Sequence, residues 1–98
     1  MISTRQIEII NAALLGYRPE KIGVFGSRAR GESHELSDLD ILVFFKNGKC
    51  PYSLFQLLKL EKKLETQLGF PVEIINERSI QNETMKNSIL NDLRIIYE

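Results

Sequence analysis

The chain is short of the residues on which several classes of protein depend. Its 98 residues include a single cysteine, Cys50, so no internal disulfide can form and a disulfide-stabilised secreted fold is excluded. The single histidine, His34, lies far from Cys50 in a polar segment, and we assign it no role. Cys50 therefore has no local partner for a zinc site, and its isolation indicates a reducing compartment.

Long apolar runs and an excess of either charge are also absent. No stretch approaches the roughly 18 consecutive apolar residues of a membrane-spanning helix, and the opening MISTRQIEII is too polar for a secretory signal. Thirteen lysines and arginines balance thirteen acidic residues, so the diffuse positive charge typical of nucleic-acid-binding proteins is missing. We therefore expect a cytoplasmic protein that partners neither a membrane nor a nucleic acid.

What the chain does contain is an alternation of helix and strand patterns. The predicted helices cover residues 2–14, 52–68 and 79–91. The predicted strands cover residues 21–25, 39–45, 70–75 and 93–98. This order favours one α/β (α+β) domain over residues 1–98, in which helices pack on a small mixed β-sheet.

The central predicted helix carries a leucine stripe opposite charged residues. We interpret the leucines as core and the charged residues as the solvent-facing side of the helix. The leucines are Leu54, Leu57, Leu58, Leu64 and Leu68, and the charged residues include Glu61 and Glu65. Gly69 is expected to end the helix.

A Gly-Ser turn follows the first predicted strand. A strand that ends in Gly26-Ser27 and turns into a short helix leaves backbone N–H groups that, with the serine hydroxyl, can bind an anion. Arg28 or Arg30 would add a charged contact, although residues two apart on a helix face different directions. Because Gly-Ser turns are common, the alternative is that this turn is only structural.

Two aspartates open the strongest predicted strand, in SDLDILVFF. Residues i and i+2 of a strand share a face, so we expect Asp38 and Asp40 to point the same way, with Cα atoms about 6.6 Å apart. Repulsion between unit charges at that separation is about 0.6 kcal/mol in water, so the pair is tolerated without a cation. Solvated aspartates at the mouth of a sheet are the alternative interpretation.

A third carboxylate, Glu73, interrupts the apolar run PVEII. If strands 39–45 and 70–75 are parallel neighbours, Glu73 lies beside the strand that begins at the two aspartates. Three converging carboxylates need a divalent cation, and oxygen ligands favour Mg²⁺ or Mn²⁺ over zinc. Such a cation next to a phosphate-binding turn is the arrangement used for phosphoryl or nucleotidyl transfer. The alternative is that Glu73 faces water from an edge strand.

Taken together, these residues resemble a known signature. Gly26-Ser27, ten intervening residues, and then Asp38-Leu39-Asp40 with an apolar strand are similar to the signature of the DNA polymerase beta-like nucleotidyltransferase superfamily. The filling RARGES…SDLDILV most resembles the minimal nucleotidyltransferases, the MNT proteins often found beside HEPN partners in prokaryotes. The resemblance runs from the first predicted helix to the terminal LRIIYE.

The resemblance implies a nucleotidyltransferase fold and a reaction. A nucleoside monophosphate, AMP in particular, would pass from an NTP such as ATP to a hydroxyl, with release of pyrophosphate. The triphosphate would lie against four residues, namely Gly26, Ser27, Arg28 and Arg30.

The resemblance also implies the catalytic and metal-binding residues. Asp38 and Asp40 would bind two Mg²⁺ ions, and Glu73 would be the third carboxylate, which helps to prime the attacking hydroxyl. The family commonly carries aspartate at the third position, so the glutamate here reaches one methylene further.

A partner and two functions follow from the same resemblance. Larger relatives carry an added domain that grips the acceptor, for which 98 residues leave no room, so we expect the acceptor to come from a partner or an oligomer. In HEPN-associated members it is a tyrosine of the partner toxin, which would make this chain an antitoxin. The alternative is a binding module that neutralises its partner by contact. Transfer to a small molecule such as an aminoglycoside is disfavoured by the lack of an acceptor domain.

Overall fold

The computed structural model describes residues 2–32, 37–46 and 49–98. The helices are α1 Thr4–Leu14, α2 Ser27–Arg30, α3 Leu54–Leu68 and α4 Glu83–Asp92, with short 3₁₀ turns at Leu15–Tyr17 and Glu77–Ser79. The strands are β1 Lys21–Phe25, β2 Leu39–Phe44, β3 Val72–Asn76 and β4 Arg94–Tyr97. His34 and the turn predicted at Asn47-Gly48 lie outside the described residues. None of the helices in the described ranges is long and apolar enough to cross a bilayer.

The strands form one mixed sheet in the order β3-β2-β1-β4. Strand β1 pairs antiparallel with both β2 and β4, whereas β2 and β3 run parallel. The chain between β2 and β3 contains α3, as a parallel connection requires. The predicted small mixed sheet is confirmed. The condition under which Glu73 lies beside the two aspartates, a parallel pair of β2 and β3, is met.

Polar residues set the ends of the longer helices. Ser3 accepts a hydrogen bond from the backbone N–H of Gln6, whose side chain accepts one from the Ser3 N–H. Ser53 and Gln56 form the same reciprocal cap at the start of α3. Helix α3 therefore begins two residues later than predicted, at Leu54. It ends where Gly69 takes a left-handed conformation, with φ +86°.

The two faces of the sheet are covered unequally. Helices α1 and α3 cover one face, where side chains such as Ile10, Ile41 and Leu64 form a large buried cluster. Helix α4 covers part of the other face, where Phe25, Leu42 and Ile89 form a much smaller one. Because side chains alternate along β2, Asp40 lies on the same face as Leu42. The carboxylates therefore begin on the thinly covered face.

The prediction that the leucine stripe of α3 belongs to the core is wrong in part. Leu60 and Leu64 are the buried leucines of this helix, whereas Leu54 is 72% exposed and Leu58 is 54% exposed. Leu54 lies in the first turn, and Leu58 projects about 100° around the helix from Leu57. Leu58 therefore lies on the same side of α3 as Glu61 and Glu65 and not on the side of the core leucines.

Two glutamates of α3 bind the free edge of β3. Glu65 accepts a hydrogen bond from the Val72 N–H (3.1 Å), and Glu61 accepts one from the Ile74 N–H (2.7 Å). The prediction that these glutamates face solvent is therefore wrong. An edge strand presents unpaired backbone N–H groups, and a carboxylate satisfies them more strongly than water does. The pKa of Glu61 is raised, mainly by burial and further by the negative charge of Glu73. The hydrogen bond from the Ile74 N–H acts in the opposite direction and lowers it.

Candidate active site

The strand register brings two of the three predicted carboxylates, Asp40 and Glu73, side by side. Asp40 pairs with Glu73 across the parallel β2–β3 ladder. On its other side, Asp40 pairs with Phe25, the last residue of β1 and the residue before Gly26. Asp40 therefore lies between Glu73 and the Gly-Ser turn. The structure places Asp38 one residue before β2, where it is exposed.

Asp40 carries the electrostatic consequence of this crowding. Its pKa is raised to about 6, first by burial and then by the negative charges of Glu73 and Asp38. A hydrogen bond with Glu73 and the more distant charge of Asp92 act in the same direction. At neutral pH the site therefore holds several carboxylates whose mutual repulsion would be relieved by a cation.

Gly26 is required by the backbone and by its neighbour. Its φ is +87°, in the region that favours glycine. A Cβ built on Gly26 would overlap the Oδ2 atom of Asp40. The absent side chain therefore lets the Asp40 carboxylate lie directly against the turn, a contact that the sequence did not predict. Ser27 follows as the first residue of α2.

Asp92, the last residue of α4, is a site residue that the sequence analysis missed. Its Oδ2 atom accepts hydrogen bonds from the backbone N–H of Gly26 (2.9 Å) and from Nη1 of Arg30 (2.5 Å). A phosphate-binding turn is expected to have free backbone N–H groups, whereas here the N–H of Gly26 is bonded to Asp92. One signal was available: a carboxylate at a helix C-terminus opposes the helix dipole and needs a specific partner.

The two arginines of α2 point to different places, in agreement with their spacing. Arg28 donates from Nε to the carbonyl oxygen of Ser37 (2.8 Å), and its guanidinium carbon lies 4.0 Å from the centroid of the Phe70 ring. Arg30 pairs with Glu32 as well as with Asp92. Arg28 therefore connects α2 to the segment that leads into Asp38, whereas Arg30 connects it to α4.

This geometry coincides with a match to a protein family. Residues 8–98 match the family described as "Polymerase beta, Nucleotidyltransferase". The chain belongs to this nucleotidyltransferase family. The family match covers every candidate site residue, from Gly26 to Glu73 and Asp92.

Relatives of the chain within the nucleotidyltransferases carry more specific names. Protein adenylyltransferase MntA of Thermococcus cleftensis is 44% identical over 66 residues, which are 67% of this chain and 64% of MntA. The Methanocaldococcus jannaschii protein MJ1379, whose name assigns it provisionally to the protein adenylyltransferases, is 44% identical over 77 residues, 79% of this chain and 76% of its own length.

A solved structure shows the same fold. The structure of a tri-AMPylated Shewanella oneidensis HEPN toxin with its MNT antitoxin contains a chain that superposes with a TM-score of 0.74 at 17% identity. The superposition covers 98% of this chain and 72% of that chain. At this identity the likeness concerns the fold.

The nucleotidyltransferase carboxylates fit a divalent cation by chemistry and by charge. They supply only oxygen atoms, which suits Mg²⁺, and after burial it is the negative charges of Glu73 and Asp38 that raise the pKa of Asp40. Within residues 2–32, 37–46 and 49–98, no three acidic, histidine or cysteine side chains stand in a ready metal-binding arrangement. Cation binding would therefore require at least one of Asp38, Asp40 and Glu73 to reorient.

Proposed function

We propose that this nucleotidyltransferase transfers AMP from ATP to a hydroxyl of a HEPN-type partner protein and thereby acts as an antitoxin in the cytoplasm. The observation that carries the proposal is the strand register. It puts Asp40 between Glu73 on one side and the turn of Gly26 on the other. The adenylyltransferase names of the relatives and the AMPylated toxin bound to the S. oneidensis antitoxin support AMP as the group and a HEPN protein as the acceptor.

One group of residues would bind the triphosphate of ATP. Gly26 and Ser27 would bind the triphosphate, with Arg28 and Arg30 on the phosphate side. For the Gly26 N–H to reach a phosphate oxygen, Asp92 must give up its present hydrogen bond. The anionic nucleotide would then compete with a carboxylate that already occupies the turn.

The carboxylates would act on the other side of the transferred phosphorus. Asp38, Asp40 and Glu73 would bind Mg²⁺, which when present neutralises phosphate charge in the transition state. Glu73 would orient the attacking hydroxyl and accept its proton. The new bond joins that oxygen to the α-phosphorus, the bond from the α-phosphorus to the bridging oxygen breaks, and pyrophosphate leaves with the displaced charge.

The test is a labelling reaction. The chain, its genomic HEPN neighbour, Mg²⁺ and α-labelled ATP should yield label on the partner together with pyrophosphate. Asp40→Asn should abolish the label. Glu8→Gln, which removes an exposed carboxylate of α1 on the other face of the sheet, should leave it intact.

A different outcome would support the second candidate function. Asp92 occupies the Gly26 N–H, and the described carboxylates are not in a ready metal-binding arrangement. Both observations are compatible with a protein that neutralises its partner by contact alone. Absence of label with each of the four NTPs, while both the wild type and Asp40→Asn still neutralise the toxin, would replace the transfer proposal with this one.

A further inference from the structure

A groove opens beside Glu73 on the side away from the Gly-Ser turn. Its volume is about 630 Å³, within the range of about 300–1,000 Å³ typical of ligand clefts. Glu73 lines it together with β3 residues that include Ile75. Ile80, Met85 and Ile89 line the part formed by α4 and the segment before it. Glu73 thus belongs both to the carboxylate cluster and to the groove.

The opposite side of the groove comes from the segment that leads into α3. Cys50, Tyr52 and Leu57 line it there. Tyr52 is almost fully buried, and its hydroxyl has no hydrogen-bond partner within the described part of the chain. The groove therefore runs between the start of α3 and the start of α4.

The order of the strands determines which reactant can reach this groove. In an in-line displacement, the attacking and leaving oxygens lie on opposite sides of the phosphorus. The turn at Gly26 follows β1, on one side of Asp40, and Glu73 lies on β3, on the other side. With pyrophosphate leaving at the turn, the acceptor hydroxyl must approach from β3. The groove opens at that point.

The chemistry of the lining selects among acceptors. Among its described residues, Glu73 is the only formally charged side chain, and the rest are mostly apolar with an amide and hydroxyl rim that includes Asn76 and Asn82. A nucleic acid would need cations along the groove, and an aminoglycoside would need several carboxylates. An uncharged segment that carries an aromatic hydroxyl matches an apolar groove with one carboxylate.

We propose that this groove, between Cys50 on one rim and Met85 on the other, binds the acceptor as a tyrosine-bearing apolar segment of the partner protein and delivers its hydroxyl to Glu73. The inference rests on the proposed AMP transfer and adds to it the location of the acceptor. The nucleobase of ATP is the competing occupant, which the tests below separate from the acceptor.

The first test uses two exposed residues of the same helix. Met85 lines the groove and is 57% exposed, whereas Leu90 lies outside it and is 41% exposed. Met85→Glu should raise KM for the partner by about tenfold or more, as expected when a charge enters an apolar contact. Binding of a non-hydrolysable ATP analogue should change less than about twofold, since the triphosphate lies on the other side of Asp40. Leu90→Glu should alter neither quantity.

The second test needs no transfer at all. Cys50 is the only cysteine of the chain and is exposed, so maleimide modification reports access to one rim of the groove. The peptide acetyl-Ala-Tyr-Ala-amide, or the partner itself, should slow this modification, and Mg²⁺-ATP alone should not. A matched peptide with lysine in place of tyrosine should protect less.

The two tests separate this inference from the proposed function. If the wild type labels no partner but the tyrosine peptide protects Cys50, the transfer proposal fails, and the groove stands as a binding site for a tyrosine-bearing segment without an acceptor role. If label transfer proceeds equally well in Met85→Glu and Cys50 is not protected, the groove assignment is overturned while the transfer proposal stands. Protection of Cys50 by ATP alone, or weaker binding of the ATP analogue by Met85→Glu, would assign the groove to the nucleobase and would also overturn the inference.

Discussion

The two faces of the sheet are built from the same strands but differ in how much apolar surface they bury. On one face, Ile41 and its neighbours pack against α1 and α3 in a large apolar cluster. On the other, the partly buried Asp40 stands beside the exposed Glu73, and the buried cluster within the described residues consists of Phe25, Leu42 and Ile89. Alternation along each strand puts the large apolar cluster on one face of the sheet and the carboxylates Asp40 and Glu73 on the other. Four predictions test this division, from the largest expected effect to the smallest.

The division predicts that Asp40→Asn separates activity from stability. Transfer to the partner should fall by about 10³-fold, the scale on which a group that stabilises transition-state charge acts. The free energy of unfolding at pH 7 should stay the same or rise, because the lost charge was repelled by its neighbours. Labelling kinetics and urea denaturation measure the two quantities. A variant that loses both in parallel would show that Asp40 stabilises the fold.

The opposite result is expected for Leu64→Ala on the other face. Leu64, on the side of α3 that packs against the sheet, is fully buried, and truncation of such a leucine costs about 3 kcal/mol of the free energy of unfolding. Transfer per folded molecule should not change. Leu58→Ala, on an exposed leucine of the same helix, is the control and should cost less than about 0.5 kcal/mol. Equal losses in the two variants would contradict the position of α3.

The charged face should also make stability depend on pH. The pKa of Asp40 is raised from 3.8 to about 6, so between these values the folded state holds a proton that the unfolded state has lost. The free energy of unfolding should therefore fall as pH rises through this window, by roughly 1–2 kcal/mol after allowance for solvent screening. Urea denaturation from pH 4 to pH 7 in EDTA measures it.

Two controls identify the source of this pH dependence. Asp40→Asn should flatten the profile between pH 4 and pH 6, because the titrating group is gone. Mg²⁺ should restore part of the lost stability at pH 7 in the wild type, because it offsets the repulsion among the carboxylates. An unchanged slope in Asp40→Asn would assign the effect to another group, such as Glu61, whose pKa is also raised.

The smallest effect concerns the contact between α4 and the Gly-Ser turn. Asp92→Asn keeps an oxygen that can accept from the Gly26 N–H but removes a negative charge from the proposed phosphate side. Binding of ATP should strengthen about threefold, and the free energy of unfolding should fall by less than about 1 kcal/mol. Glu32→Gln is the matched control, since Glu32 also pairs with Arg30, whereas the Gly26 N–H is bonded to Asp92. Titration calorimetry should distinguish the two; identical ATP affinities would mean that Asp92 does not compete with phosphate.

The sequence predicted those features that depend on short chain distances or on strand order. Gly69 as a helix end is a local feature, and the structure confirms it. One intervening helix allows β2 and β3 to be parallel neighbours, and the structure shows that they are, in a register that puts Glu73 opposite Asp40. The metal-binding and catalytic roles of Asp38, Asp40 and Glu73, like the phosphate roles of Gly26, Ser27, Arg28 and Arg30, remain proposals.

The sequence did not predict contacts between segments that are distant along the chain. Asp92 lies 66 residues after Gly26 and binds it. Glu61 has the same charge and helical setting as an ordinary solvent-facing glutamate, yet it binds the edge of β3. Leu54 and Leu58 matched an apolar stripe, but no described neighbour buries them. In each case the contacts and the burial of the residue depend on which other helix or strand packs against it.

By itself, the sequence determined which chemistry is available and where the chain bends. Side-chain type and local conformational preference are properties of a residue and its near neighbours, so the carboxylates, the Gly-Ser turn and the helix end at Gly69 could be recognised directly. Only the tertiary structure decided which carboxylates crowd Asp40, which one occupies the turn and where a groove opens beside Glu73. Those outcomes depend on the packing of α3 and α4 against the two faces and the edge of the sheet, and packing is set by pairs of surfaces that no single segment contains.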